Sequence, residues 1–381
     1  MTDQKKKTSF RSFARKAGRI MWTLFSFLLV VVILLTGLLE FWSYPGKPTP
    51  FVSSNGDPLT GSISEKTFIT INGVQQGMFI RGVDVTNPML LYLHGGMPDY
   101  FLTAQYPTGL EYIFTVVWWE QRGSGMSYSP GIPSETMNLD QMIDDTLDVT
   151  NYLRRRFGNQ KIYLMGHSGG TFIGIQAAAR APELFYAYIG VAQMANQLQS
   201  EKIAYDYMLQ QFKESGDTKM VKKLEAAPVT MAGGTPHDYL LVRDEAMHSL
   251  GIGTTHDMKS VVSGIFLPSL QFHEYTLGEK IDLWRGKASS GVASLWDEMI
   301  STDLATQLPE LKLPVYFFHG IYDYTCSFTV AKAYFEALQA PVKAFYTFEN
   351  SAHSPMFEEP EKMQAILLQD VLAGTNNLAD E

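Results

Sequence analysis

The chain has 381 residues, of which 45% are hydrophobic and 18% charged, the ordinary composition of a globular protein. Its net charge of −9 hides a basic start: residues 1–19 carry seven cations and one carboxylate, which leaves −15 on the rest. That acidic remainder excludes nucleic acid as a partner, because phosphate binding needs a basic face, and the single cysteine excludes an internal disulfide.

An apolar run without charges, residues 20–39, follows the basic start. About twenty helical residues cross the roughly 30 Å hydrocarbon core, and Trp22 and Trp42 stand near its ends, where aromatic rings favour the interface. We predict a basic cytoplasmic tail over 1–19, then a single transmembrane helix over 20–42 in the lipid bilayer of the cell. By the positive-inside rule the rest of the chain is extracytoplasmic. A cleaved signal peptide is the alternative, although no small-x-small site follows.

The next segments predict a tether and then an α/β domain. Residues 43–60 are rich in proline and predict a stiff, extended tether. Asn72-Gly73 between two apolar runs predicts a β-hairpin. Farther on, apolar runs alternate with helix-length segments, which is typical of a mostly parallel sheet with helices on both faces. The predicted strands cover 66–71, 77–81, 90–93, 114–119, 161–165, 187–192, 315–318 and 344–348, and the predicted helices cover 139–157, 171–180, 329–338 and 360–372.

Residues 196–306 interrupt this alternation with a helix-like stretch rich in Met, Tyr and Phe. The stretch is too long for a loop in a compact domain, so we predict a helical cap. It would cover the carboxyl edge of the sheet, where ligand sites of α/β folds lie. The core domain then consists of residues 61–195 and 307–381.

The sequence Gly166-His167-Ser168-Gly169-Gly170 follows an apolar strand and precedes a helix-compatible segment. This is the G-x-S-x-G nucleophile elbow in its required context. Flanking glycines are expected because a Cβ there would collide with the neighbouring strand and helix. The pattern predicts Ser168 as a nucleophile.

A serine nucleophile needs a base, and His353 is the candidate because it lies in a loop between the last strand and the last helix. His167 is adjacent to Ser168 but points elsewhere in an elbow. Asp323 follows the strand at 315–318 and is the predicted acid, with Glu349 as a less favoured substitute. Serine, aspartate and histidine then occur in the chain order of hydrolase sheets.

An oxyanion intermediate needs hydrogen-bond donors. The backbone N–H of Gly169 is the first candidate. The second is the N–H of Gly96 or Met97, in the His94-Gly95-Gly96 turn that follows the third predicted strand.

These motifs resemble the α/β-hydrolase fold and, within it, the proline iminopeptidase-like serine hydrolases. Three further segments are similar to family blocks: Glu120-Gln-Arg-Gly-Ser-Gly-Met-Ser127, Gly320-Ile-Tyr-Asp-Tyr-Thr-Cys326 and Ser351-Ala-His-Ser-Pro355. The resemblance implies a catalytic triad of Ser168, Asp323 and His353 that acts through an acyl-enzyme.

The same resemblance implies an aminopeptidase acting on small or short-peptide substrates, in which cap carboxylates hold the free amine. Glu201 is the candidate for that role, and Glu274 is the second choice. Two departures from the family pattern leave the substrate open: Met97 displaces the proline of the H-G-G-P-G loop, and Gly169 stands where tryptophan is common.

Two alternatives therefore stay open: an esterase, amidase or lactonase with the same triad, and a non-catalytic binding module. The sequence has no metal-ligand cluster or phosphate loop, so we expect no metal and no cofactor. Activity should fall on acidification as the base protonates.

Overall fold

The computed structural model describes residues 2–287 and 289–380, so Met1, Ala288 and Glu381 lie outside the described residues. Side chains up to residue 15, on which the predicted basic tail mostly depends, lie outside them too. The first helix, α1, covers Thr2–Trp42 and begins well before residue 20. Within the segment Lys16–Trp42, an 18-residue window has a mean hydropathy of 2.6, and none of that window is buried against the protein. Its length and composition suit a membrane anchor, and a signal sequence would have the same properties.

An eight-stranded sheet forms the centre of the described chain, with the order β1-β2-β4-β3-β5-β6-β7-β8. β1 and β2 form the predicted hairpin, and β2 is antiparallel to β4. All other neighbours are parallel. The strands are β1 Ile63–Ile71, β2 Val74–Gly82, β3 Met89–Leu93, β4 Thr115–Trp119, β5 Ile162–His167, β6 Phe185–Val191, β7 Val315–Gly320 and β8 Lys343–Phe348.

Helices cover both faces of this sheet and fill the predicted cap region. They are α1, α2 Leu139–Phe157, α3 Gly169–Arg180, α4 Gln197–Ser215, α5 Thr218–Glu225, α6 His237–Leu250, α7 Leu267–Gln271, α8 Leu277–Lys287, α9 Gly291–Ser294, α10 Trp296–Ser301, α11 Leu304–Gln307, α12 Phe328–Ala337, α13 Pro355–Glu358 and α14 Pro360–Ile366. Short 3₁₀ turns cover Tyr100–Ala104, Leu110–Tyr112, Gly125–Ser127, Ser134–Thr136 and Pro182–Leu184, and π-helical turns cover Val262–Phe266 and Leu367–Val371. The predicted last helix is therefore divided between α14 and a π turn.

Successive residues of the parallel strands point into two separate hydrophobic clusters. In β3, Leu91 and Leu93 join the cluster on one face, while Leu90 and Tyr92 join the cluster on the other. Because both faces are covered by helices, such strands have a continuous apolar sequence. This burial explains why the strands were visible as uninterrupted apolar runs.

The proline-rich segment after α1, for which the sequence predicts a stiff, extended tether, lies against the protein. Gly46 N donates to His273 O at 3.0 Å, and Thr49 N donates to a Glu274 carboxylate oxygen at 2.7 Å. The guanidinium of Arg81 donates to Thr49 O at 2.7 Å. Proline removes backbone donors but leaves every carbonyl free to accept, so stiffness alone did not exclude docking.

Candidate active site

Ser168 connects the end of β5 to the start of α3. Its backbone has φ 55° and ψ −126°, a strained conformation for a residue with a side chain. A Cβ on Gly166 would lie 2.7 Å from Gly170 O, and a Cβ on Gly170 would lie 2.2 Å from Leu93 O. Both glycines are thus required by close backbone approach, as the elbow pattern predicts.

Asp323 and His353 lie on the loops after β7 and β8, at the same sheet edge as Ser168. His353 Nδ1 is 2.9 Å from Asp323 Oδ2, and both side chains are buried. The other carboxylate oxygen accepts the backbone N–H groups of Thr325 and Cys326, at 2.8 and 2.9 Å. The bond to Asp323 places a proton on Nδ1 of His353 and leaves Nε2 as the basic nitrogen. Glu349 is exposed and takes no part in this contact.

The surroundings hold this pair in the state that a general base requires. Burial raises the pKa of Asp323, but attraction to His353 and hydrogen bonds from His319 and His353 outweigh it and hold that pKa below its usual range. Burial lowers the pKa of His353, against the attraction of Asp323, and His167 and His319 lower it further. His353 is therefore neutral at pH 7 and able to accept a proton.

A second histidine–aspartate contact lies beside the first, and the sequence analysis missed it. His167 Nδ1 is 3.0 Å from Asp99 Oδ2, which also accepts the Tyr92 hydroxyl at 2.7 Å. His167 Nε2 is 3.0 Å from the backbone O of His353. His167 thus contacts the loop that carries His353, the predicted base. Only the fold brings Asp99 to this place, although its position just after the His-Gly-Gly turn could have suggested it.

The predicted oxyanion donors line the same cavity as Ser168. Gly96 and Met97 face it from the loop after β3, and Gly169 faces it from the start of α3. Within the described residues, the backbone N–H groups of Gly96 and Met97 have no hydrogen-bond partner. A Cβ built on Gly96 would meet no atom within 4 Å, so open space lies beside it.

The cavity has a volume of about 810 Å³ and lies between the sheet edge and the cap. Cap residues from α6 to α10 supply most of its wall, and many of them are apolar. Four charged residues of aspartate, lysine or arginine type also line it: Asp99, Arg243, Asp244 and Lys287. Since two are acidic and two basic, the wall has no strong excess of either sign.

The loop that carries Asp323 is bound directly to the first cap helix, α4. Gln197 Nε2 donates to Thr325 O at 2.8 Å, and Ser327 N donates to Ser200 Oγ at 3.1 Å. The position of the acid therefore depends on the position of α4.

Glu201 is fully buried in α4, outside the residues that line the cavity. Its carboxylate forms a two-pronged ion pair with Arg243, whose nitrogens lie 2.6 to 3.0 Å from the two oxygens. It also accepts the Tyr239 hydroxyl at 2.8 Å. A carboxylate satisfied in this way has no free charge to offer a substrate amine. Arg243, 42 residues farther along the chain, is the partner that the sequence could not indicate.

Glu274 lies in a different place from Ser168. It accepts the Tyr100 hydroxyl and Thr49 N, both at 2.7 Å, and lines a separate cavity of about 530 Å³. The structure thus brings Ser168, Asp323, His353, Gly96, Met97 and Gly169 to one sheet edge and leaves both cap glutamates outside that group.

Similarity to known proteins agrees with this geometry. The chain is 34% identical over 309 residues to the probable aminopeptidase YbaC of Bacillus subtilis (strain 168), covering 80% of this chain and 95% of that one. The chain belongs to the proline iminopeptidase-like serine hydrolases. The profile of the family described as serine aminopeptidase, S33, matches residues 111–234.

Two solved structures of proline iminopeptidase-like hydrolases share the fold. The proline iminopeptidase of Mycobacterium smegmatis is 14% identical with a TM-score of 0.56, covering 81% of this chain and 98% of its own. The proline iminopeptidase-related protein of Thermus thermophilus is 17% identical with a TM-score of 0.50, covering 82% and 98%. The predicted α/β-hydrolase fold and the predicted hydrolase class are confirmed.

Proposed function

We propose that this hydrolase is a membrane-anchored serine aminopeptidase that removes N-terminal residues from short peptides through an acyl-enzyme. The observation that carries the proposal is the 2.9 Å contact of His353 Nδ1 with Asp323, in the cavity that also holds the strained Ser168. The name of the Bacillus relative and the S33 family description support the peptidase class.

The mechanism follows from these positions. Ser168 Oγ attacks the scissile carbonyl carbon, and Nε2 of His353 takes the hydroxyl proton. The oxyanion accepts hydrogen bonds from the N–H of Gly169 and from that of Gly96 or Met97. The tetrahedral species then expels the amine, which takes the proton from His353, and leaves an ester on Ser168. Water, deprotonated by the same nitrogen, hydrolyses that ester and restores the serine.

Asp323 contributes in two ways. Its hydrogen bond fixes the tautomer of His353, and its charge stabilises the imidazolium that forms when the proton is transferred. Because three donors besides His353 bind this buried carboxylate, it stays ionised during the reaction.

A second candidate is an esterase, amidase or lactonase with the same triad. The observation that favours it is the pairing of Glu201 with Arg243, which withdraws the predicted amine-binding carboxylate. Among the acidic residues of the wall, Asp244 is half-exposed, and it too contacts Arg243, whose Nη1 lies 3.2 Å from its carboxylate.

Membrane anchoring belongs to the same proposal. The 27-residue helical segment Lys16–Trp42 is long enough for the bilayer, and the cations of residues 1–19 favour a cytoplasmic N-terminus. The catalytic domain is then extracytoplasmic. Two measurements distinguish an anchor from a cleaved signal. An anchored protein floats with vesicles after carbonate washing, and the mature protein keeps the full size of the chain.

Three substrates test the activity of the full chain in detergent, with Ser168→Ala as control. They are a prolyl arylamide with a free amine, its N-acetylated form and a short-chain nitrophenyl ester. Turnover of the free-amine arylamide, abolished by Ser168→Ala, supports the aminopeptidase. Turnover of the ester alone supports the second candidate. If none of the three substrates is turned over at any pH and a fluorophosphonate also fails to label Ser168, the results favour a non-catalytic binding module.

A further inference from the structure

One edge of the cap carries a group of exposed apolar side chains, here called the apolar ridge: Val262, Phe266, Leu267 and Ile281. Their exposed fractions are 61%, 39%, 40% and 46%. The first three belong to the continuous helical segment formed by a π turn and α7, and Ile281 belongs to α8. Adjacent exposed apolar residues of this kind mark an interaction surface.

The apolar ridge is continuous with the end of α1. Lys280 Nζ donates to Trp42 O at 3.0 Å and to Leu270 O at 2.7 Å. A single ammonium therefore joins the last carbonyl of the apolar helix to the segment that bears the ridge. Phe41 and Tyr44, at the same end of α1, are 75% and 80% exposed.

The other face of the same segment forms part of the cavity wall. Val261 and Ile265 line the cavity that contains Ser168. The Phe266 ring packs edge-on against Trp284 with centroids 5.1 Å apart, and Trp284 is also a wall residue. Lys287 Nζ lies 5.5 Å from the centre of the Trp284 ring. The segment thus separates the cavity from the ridge by the thickness of one helix.

We propose that the apolar ridge lies in the headgroup–acyl boundary of the bilayer that holds α1, and that the cavity takes substrates whose apolar part resides in that boundary. The proposal rests on the proposed membrane anchoring. If α1 spans the bilayer, Trp42 lies at the interface, and the bonds of Lys280 hold the ridge at the same level. A helical segment that exposes apolar side chains, with a lysine nearby, suits this interface.

Site-specific fluorescence in the full chain tests the position of the ridge. Val262→Cys carries an environment-sensitive dye, and Tyr186→Cys is the control, an exposed position at the start of β6 on the opposite sheet edge. Cys326 is buried, and dye-treated wild type serves as the blank. Phosphatidylcholine vesicles carry a nitroxide high on the acyl chain.

If the ridge contacts lipid, the dye at position 262 loses about half of its emission to the nitroxide, and the dye at 186 loses little. If the protein floats with the vesicles but the dye at position 262 is not quenched, the ridge does not contact lipid, although the membrane anchor is supported. A dye that is shielded from aqueous iodide yet not quenched by lipid indicates that protein, such as a second copy, covers the ridge. Failure to float refutes the anchor and the ridge with it.

Kinetics test the consequence for the substrate. The double substitution Val262→Ser and Leu267→Ser removes two exposed apolar side chains that lie outside the cavity wall. Turnover of a long-chain acyl ester dissolved in the vesicles should fall by about tenfold, whereas turnover of a short-chain soluble ester stays unchanged. Equal loss on both esters would contradict delivery from the bilayer.

Discussion

Separating Glu201 from Arg243 distinguishes a structural ion pair from a substrate-binding carboxylate. Glu201→Gln leaves the Arg243 guanidinium with only the half-exposed Asp244 as a counter-charge, and Arg243→Met leaves a buried carboxylate. The Glu201 side chain is 0% exposed and that of Arg243 is 12% exposed, through its contact with the cavity. Because only the arginine can reach water, we expect Arg243→Met to destabilise the protein more than Glu201→Gln.

The expected size follows from the geometry of the pair. Breaking a buried ion pair by removing one partner costs about 3–5 kcal/mol. Because the contacts are 2.6–3.0 Å long and the carboxylate is fully buried, we expect Arg243→Met to cost an amount at the upper end of that range. In Glu201→Gln the amide oxygen can accept from Gln197 Nε2 while the amide nitrogen donates to the Tyr239 hydroxyl, so this variant should lose about 2–3 kcal/mol. In a chain of this size 3 kcal/mol corresponds to a melting temperature lower by roughly 4 °C.

Thermal unfolding followed by tryptophan fluorescence in detergent measures these losses. The double variant Glu201→Gln with Arg243→Met removes both charges and should recover most of the stability lost by Arg243→Met alone. The reasoning is refuted if Glu201→Gln leaves the melting temperature unchanged while KM rises about a hundredfold for the free-amine arylamide only. That result would show that Glu201 binds the substrate amine and is not held by Arg243.

Three further perturbations have definite outcomes. Asp323→Asn should lower kcat by about 10⁴-fold with little change in KM, because His353 then holds the wrong tautomer; an equal rise in KM would instead indicate a distorted pocket. Burial lowers the pKa of His353, so the acid limb of kcat/KM should have its midpoint below the usual value of 6.5, and a midpoint above that value would contradict the assignment of the base. Burial raises the pKa of Glu120 to about 8 from 4.5, so the folded protein binds the extra proton and its stability falls as pH rises between these values. Melting temperatures of Glu120→Gln should show a smaller decline from pH 5 to pH 8 than wild type, and parallel curves would disprove the buried neutral acid.

Most of the fold was predictable because burial on both sheet faces produces apolar runs. Leu139–Phe157 forms a helix with the bounds that its periodicity predicts, closed by Asn138 at one end and Gly158 in a left-handed conformation at the other. The positions of Ser168, Asp323 and His353 followed from the same logic, since loops after parallel strands meet at one sheet edge.

The remaining features depend on partners that are far apart in the chain. Nothing in the spacing of Glu201 indicates that Arg243 will neutralise it, and nothing near Lys280 indicates that it will bind the end of α1. The contact of Asp99 with His167 likewise joins the loop after β3 to the end of β5. The local sequence pattern determines which residues reach the sheet edge. The packing of the cap determines which charged side chains form ion pairs with one another.

The attachment of the acid loop to α4 limits how this enzyme can be recombined with its relatives. Gln197 and Ser200 belong to the cap by sequence, yet they hold Thr325 and Ser327 on either side of Cys326, in the loop of the acid. A chimera that takes another hydrolase's cap from residue 197 onward would bring a new specificity pocket together with a displaced Asp323. Grafts that begin after α4 would leave the acid loop on its original support.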